Sequence, residues 1–239
     1  MKAFINQMLI QFKMDFRDKD VVVIYYLVPL AFYLIMGVIL NTLSDMMDNP
    51  FILTTTVFAI TMTAYLGLPN ILVKIKEKGV LKAYKVAGIP ALALPLIQVI
   101  ITVIHILLVS IIILLTAPLV FKVPLPQNIG LHFFGVIVIG LGSSALGVLL
   151  SSFVKSQSSM TMYGQILFMP SILFTGLMFP AEFLPKPLKL IGDLFPASLG
   201  LNMLGGEDFQ ILPLSLLILI SAIAFIISII LYRRIVKEN

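Results

Sequence analysis

The side chains able to do chemistry are few and scattered. Two histidines, His105 and His132, fall on different apolar segments, and neither has a carboxylate at metal-ligand or acid–base spacing along the chain. There is no cysteine, which excludes disulfides, thiolate metal sites and cysteine nucleophiles. Gln98, Thr102 and His105 stand at i, i+4 and i+7, one polar stripe along a helix. Inside a membrane the simplest work for such a stripe is hydrogen bonding to neighbouring helices. His132 is expected near an interface. No acid/base constellation or His/Glu ligand set emerges, which argues against an intramembrane metalloprotease or a lipid-modifying membrane enzyme.

The elements that hold these residues follow from composition. The 239 residues are 60% apolar and 11% charged, with a mean hydropathy of +1.11. A water-soluble globule cannot bury that much apolar surface. The 16 Lys/Arg and 11 Asp/Glu all lie outside six apolar stretches, at about 21–40, 51–73, 92–117, 129–151, 161–180 and 211–232. Each has the roughly 20 residues needed to cross a hydrocarbon layer at about 1.5 Å per residue. None shows the polar–apolar alternation of a membrane β-barrel. The expected fold is therefore all-α, a polytopic membrane protein with six transmembrane helices in a single domain covering 1–239.

Loop charge orients it. Thirteen Lys/Arg fall on the side holding both termini and the loops at 74–91 and around Lys155, against three on the other. By the positive-inside rule the first side is cytoplasmic. The basic balance thus reports topology, and no nucleic-acid partner is expected. Lys2, Lys13, Arg17 and Lys19 mix with three Asp before a full-length first span, unlike a cleaved signal peptide. Ile5, Met8, Leu9, Phe12 and Phe16 recur at helical spacing, predicting an interfacial helix over 2–19 on the inner membrane surface.

Charged side chains, which mark ion and proton routes in membranes, are missing from all six stretches. What the spans offer instead is hydroxyls. Thr54, Thr61 and Tyr65 on span two, with Tyr163, Gln165, Ser171 and Thr175 around Pro170 on span five, either line a mildly polar path or satisfy backbone groups freed by proline. Gly140, Ser144, Gly147 and Ser151 form a small-residue face on span four, suited to close helix packing.

Two loops stand out. The cytoplasmic one, KIKEKGVLKAYKVAGIPALAL, carries five lysines, and its residues 80–87 suit a short amphipathic helix. Charge alone would equally fit a juxtamembrane segment touching anionic lipid. The outer one, from Gly176 to Phe209, is too long for a bare connection. Leu184, Leu188, Ile191 and Phe195 share one helical face, and Lys186, Lys189 and Asp193 the other. Pro196 starts a second segment, so a helical hairpin over 183–205 dipping into the outer leaflet is expected.

Together these features resemble the type-2 ABC-transporter permease family of bacterial exporters over essentially the whole chain. The resemblance rests on an interfacial N-terminal helix and on an E-x-G-x-L-K segment followed by Pro, here Glu77, Gly79, Leu81, Lys82 and Pro90. It rests also on G-x-x-F-P-x-E-x-L-P after span five, here Gly176, Phe179, Pro180, Glu182, Leu184 and Pro185, leading to Pro196. The stretch after Pro90 is more apolar than the family pattern.

The resemblance implies a non-catalytic permease subunit in the cytoplasmic membrane of a bacterium. No G-x-x-x-x-G-K-[ST] phosphate loop occurs in this sequence. ATP and Mg would therefore bind two ABC ATPase subunits, with no cofactor or metal in this chain. Lys76, Glu77, Lys78, Gly79, Leu81, Lys82 and Lys85 would form the coupling helix that seats in the ATPase. A second permease, identical or paralogous, would complete a path lined by spans one, two and five. Phe179, Pro180, Glu182, Pro185 and Pro196 would form an outer gate. The apolar, hydroxyl-dotted lining points to export of an amphipathic or lipophilic cargo by alternating access. The alternative is a non-transporting scaffold or assembly subunit of a larger membrane complex.

Overall fold

A backbone crossing hydrocarbon must satisfy its own N–H and C=O groups, and a helix does so within one segment. The computed structural model describes residues 2–42, 51–77, 93–178, 184–205 and 209–238, and every element among them is helical. The fold class is all-α, as expected. In chain order the helices are α1 (Lys2–Arg17), α2 (Lys19–Leu40), α3 (Phe51–Glu77), α4 (Ala93–Phe121), α5 (Ile129–Phe153), α6 (Gln157–Leu173), α7 (Lys186–Gly192), α8 (Pro196–Leu204) and α9 (Ile211–Glu238).

Five of these, α2, α3, α4, α5 and α9, are long and apolar enough to cross a bilayer. α6, read from the sequence as a span over 161–180, has 17 residues. It begins early because the Ser156 side chain caps it, accepting a hydrogen bond from the Ser159 N–H at 3.3 Å. It ends early beyond Pro170, where Gly176 adopts a φ of 84° and turns the chain. α4 continues past the expected end at Ala117, through Pro118, until Lys122 stops it at a φ of 58°. Of the stretch 183–205, expected to form an outer hairpin, the described residues hold α7 and α8, each with a proline in its first turn.

α3 is the axle of the bundle. Its spanning window is 94% buried, against 22% for α2 and 17% for α9, whose apolar faces remain outward as suits a lipid-facing surface. Three contacts show how it is gripped. Phe32 of α2 stacks on Phe58 at 3.7 Å between ring centroids, and Phe121 of α4 meets Phe51 edge-on at 5.8 Å. Gly147 of α5 sits so close to the Ala64 carbonyl that a Cβ there would collide with backbone. The small-residue face of α5 is thus a packing face, with Gly140, Ser144, Gly147 and Ser151 turned towards the interior.

Candidate coupling and transport site

The site is built from the C-terminal end of α3 upward. Lys74 Nζ lies 2.5 Å from Asp18 Oδ2, and Asp18 also caps α2 by accepting a hydrogen bond from the Asp20 N–H at 3.1 Å. Burial works against ionising Asp18, but the Lys74 ammonium and the backbone donors outweigh it and hold its carboxyl below the usual value. Lys76 Nζ donates to the Ser151 carbonyl at the end of α5 and lies 5.1 Å over the Tyr232 ring of α9. Glu77 Oε1 accepts a hydrogen bond from the Gln157 N–H at 2.9 Å, placing a carboxylate at the N-terminus of α6. Asn70 and Thr161 meet at 3.3 Å one turn further in. Three consecutive polar positions of α3 thus join α2, α5, α9 and α6.

Of the residues read as coupling the chain to an ATPase, Lys76 and Glu77 are these anchors, while Lys78, Gly79, Leu81, Lys82 and Lys85 lie outside the described residues. Of the outer-gate residues, Phe179, Pro180 and Glu182 also lie outside them. Pro185 precedes α7 and Pro196 opens α8. α8 is largely buried, whereas α7 turns Leu190 and Ile191 outward and Leu194 just beyond it is exposed too.

The hydroxyl-bearing residues divide into two groups. Thr61 donates to the Val57 carbonyl at 2.7 Å and Thr175 to that of Ser171, so both serve their own helices. Tyr65 is buried, and its hydroxyl has no hydrogen-bond partner among the described residues. Thr54 is half-buried. Tyr163 and Gln165 face outward from α6, beside the exposed Met162, Ile166 and Met169.

The structure also assembles a polar centre that spacing along the chain does not reveal. α1 turns Gln11 and Asp15 inward and Leu9, Ile10 and Met14 outward, the arrangement favoured where the surroundings are hydrocarbon. The Asp15 carboxylate, 2% exposed, accepts hydrogen bonds from Gln11 Nε2 at 2.8 Å and Gln98 Nε2 at 3.3 Å. It lies 3.6 Å from His105 Nε2. The Tyr26 hydroxyl is 2.5 Å from His105 Nδ1, and that of Tyr25 is 3.2 Å from Thr102 Oγ1. With Tyr26 donating to Nδ1, the ring N–H sits on Nε2, beside the Asp15 carboxylate but beyond hydrogen-bond reach of it. Phe12 stacks on the imidazole at 4.9 Å, closing the centre from above.

No carboxylate stands at ligand spacing from His105 along the chain, and it is the fold that brings Asp15 of α1 to within 3.6 Å of it. The polar stripe does serve interhelical hydrogen bonding. His132, in the first turn of α5, is 4% exposed, with Nε2 3.0 Å from Ser110 Oγ of α4. The signal for the centre was available as Gln11 and Asp15 at i and i+4 on α1, facing Gln98 and His105 at i and i+7 on α4.

Apolar helices whose polar groups are spent chiefly on one another define an integral membrane protein. The chain belongs to the ABC-2 type transporter family, whose model matches residues 9–206. It is thus a transmembrane component of an ABC transporter, and in this family nucleotide binding takes place on a separate ATPase chain. No curated protein and no solved structure matches the chain.

Proposed function

We propose that this chain is the permease half of an ATP-driven exporter. Two copies, or this chain and a paralogue, face each other across a path bordered by α2 and α6, and two ATPase subunits dock on the cytoplasmic loop between α3 and α4. Both termini are cytoplasmic, and α6 continues the crossing as the sixth span. The carrying observation is the outward face of α6, where Thr161, Tyr163 and Gln165 stand among exposed apolar side chains. Polar side chains facing lipid are unfavourable, so this face suits a protein-lined, partly wet path better than the bilayer. A lining of tyrosine, glutamine, methionine and isoleucine fits an amphipathic or lipophilic cargo. ATP-driven closure would favour the outward-facing state through different contacts at the coupling loops.

The test uses the cysteine-free background. Tyr163→Cys, introduced alone and treated with a short thiol crosslinker in native membranes, should give a dimer of permeases. Its yield should change when the partner ATPase is trapped with ATP. A monomer under all conditions would count against a path between two permeases.

A further inference from the structure

α2 and α3 are each interrupted by one wide turn, at Val23–Leu27 and Thr63–Gly67, where the backbone bonds run five residues back, Val28 N–H to Val23 and Leu68 N–H to Thr63. Such turns place an extra residue in the helix and are common at hinges and functional sites. The two lie side by side. The Tyr25 ring of the first occupies the space where a Cβ on Gly67 of the second would stand, and Tyr25 is fully buried. Beyond the turns, the outer arms are packed together through Phe32 on Phe58 and Tyr33 against Phe51, whose centroids are 5.6 Å apart. Before them, the inner arms are tied by Lys74 and Asp18. The inner arm of α3, Leu68–Glu77, ends where the cytoplasmic coupling loop begins and carries Glu77 onto the first residue of α6.

We infer that the inner arms of α2 and α3 form one lever that pivots at the paired turns, with Lys74 and Asp18 as its brace and Glu77 as its link to α6. This rests on the permease reading above, because that reading supplies the force at the coupling loop. A bend in α3 alone would open a gap beside Tyr25, whereas a bend in both at one level keeps that ring against Gly67. The brace and the link are positioning contacts that make the inner ends of three helices answer one push, while the Lys76 contacts to α5 and α9 must release as the lever swings.

Two crosslinks in the otherwise cysteine-free chain, assayed as the complex with its ATPase in proteoliposomes, test the lever. Asp18→Cys with Lys74→Cys joins two parts of the lever. Closing it should leave cargo-stimulated ATP turnover within about twofold of the reduced protein. Leu72→Cys with Val148→Cys, joined by a short thiol crosslinker, ties the lever to α5, which packs beside it in the same apolar cluster. Closing it should abolish stimulation, and reductant should restore it. The lever is overturned if the first crosslink abolishes stimulation reversibly, since the arms then move apart, or if the second leaves it intact. Absence of stimulation in the reduced protein would instead contradict the permease reading, so the two failures are told apart.

Discussion

Asp15 of the amphipathic N-terminal helix and His105 in the middle of α4, ninety positions apart in sequence, approach to 3.6 Å in a site almost sealed from solvent. This pair fixes how α1 lies against the bundle. A buried carboxylate is tolerated only where donors surround it, and here Gln11 and Gln98 donate to it, with the His105 ring close by. Asp15→Ala should leave Gln11 and Gln98 without their acceptor and cost about 1–3 kcal/mol. Asp15→Leu combined with His105→Phe should cost less than the sum of the two single changes, because neither polar group is left alone. Unfolding in detergent, followed by the release of a fluorophore attached to α1, measures both.

The contrast between two glycines of α5 gives a second prediction. A Cβ at Gly147 would collide with the Ala64 carbonyl, whereas at Gly140 it would meet only the ends of Ile106 and Val103, at 3.6 and 3.7 Å. Gly147→Ala should therefore lower stability by about 1–3 kcal/mol. Gly140→Ala should be close to neutral. Thermal unfolding of the two variants side by side reads the difference.

Asp18 should shape the acid limb of stability. Its folded-state value lies below the ordinary 3.8, so its contribution is fully present above that value and is lost as pH falls through the lower, folded-state one. Both side chains of the Lys74 pair are more than a quarter exposed, at 28% and 29%, and solvent screening limits the pair to about 0.5–1 kcal/mol. Asp18→Asn should leave stability near neutral pH reduced by no more than this and flatten the decline below pH 4. A pH series of unfolding midpoints tests the sign.

Glu77 should matter by its geometry more than its charge. Glu77→Gln keeps an oxygen able to accept from the Gln157 N–H and loses only the favourable charge at the α6 N-terminus, about 0.3–1 kcal/mol. Glu77→Ala loses both. ATP turnover of the complex should stay nearly normal in the first variant and become insensitive to cargo in the second.

Much of this architecture could be read in advance because an apolar run leaves the backbone few options. The positions of α2 to α5 and α9, and the two prolines that open α7 and α8, follow from hydropathy and proline chemistry alone. The end of α6 did not, since it depends on Gly176 taking a left-handed conformation that the letters permit but do not require. The wide turns at Tyr25 and Gly67 were also invisible, because a one-residue surplus in a helix leaves no mark on a uniformly apolar pattern. The centre at His105 was missed for a different reason. Apolar spacing along α1 marks its Ile, Met, Leu and Phe positions, whereas the helix buries Gln11 and Asp15, and only the fold brings that carboxylate to α4.

The proposed permease draws its power through the loop beyond Glu77. The most direct measurement is cargo-stimulated ATP turnover of the reconstituted complex carrying Lys78→Glu, Lys82→Glu and Lys85→Glu together. Three reversed charges at a docking segment should reduce stimulation by about tenfold or more, while the ATPase keeps its basal rate. Stimulation at the unaltered level, or export by this chain with no ATPase present, would contradict the account.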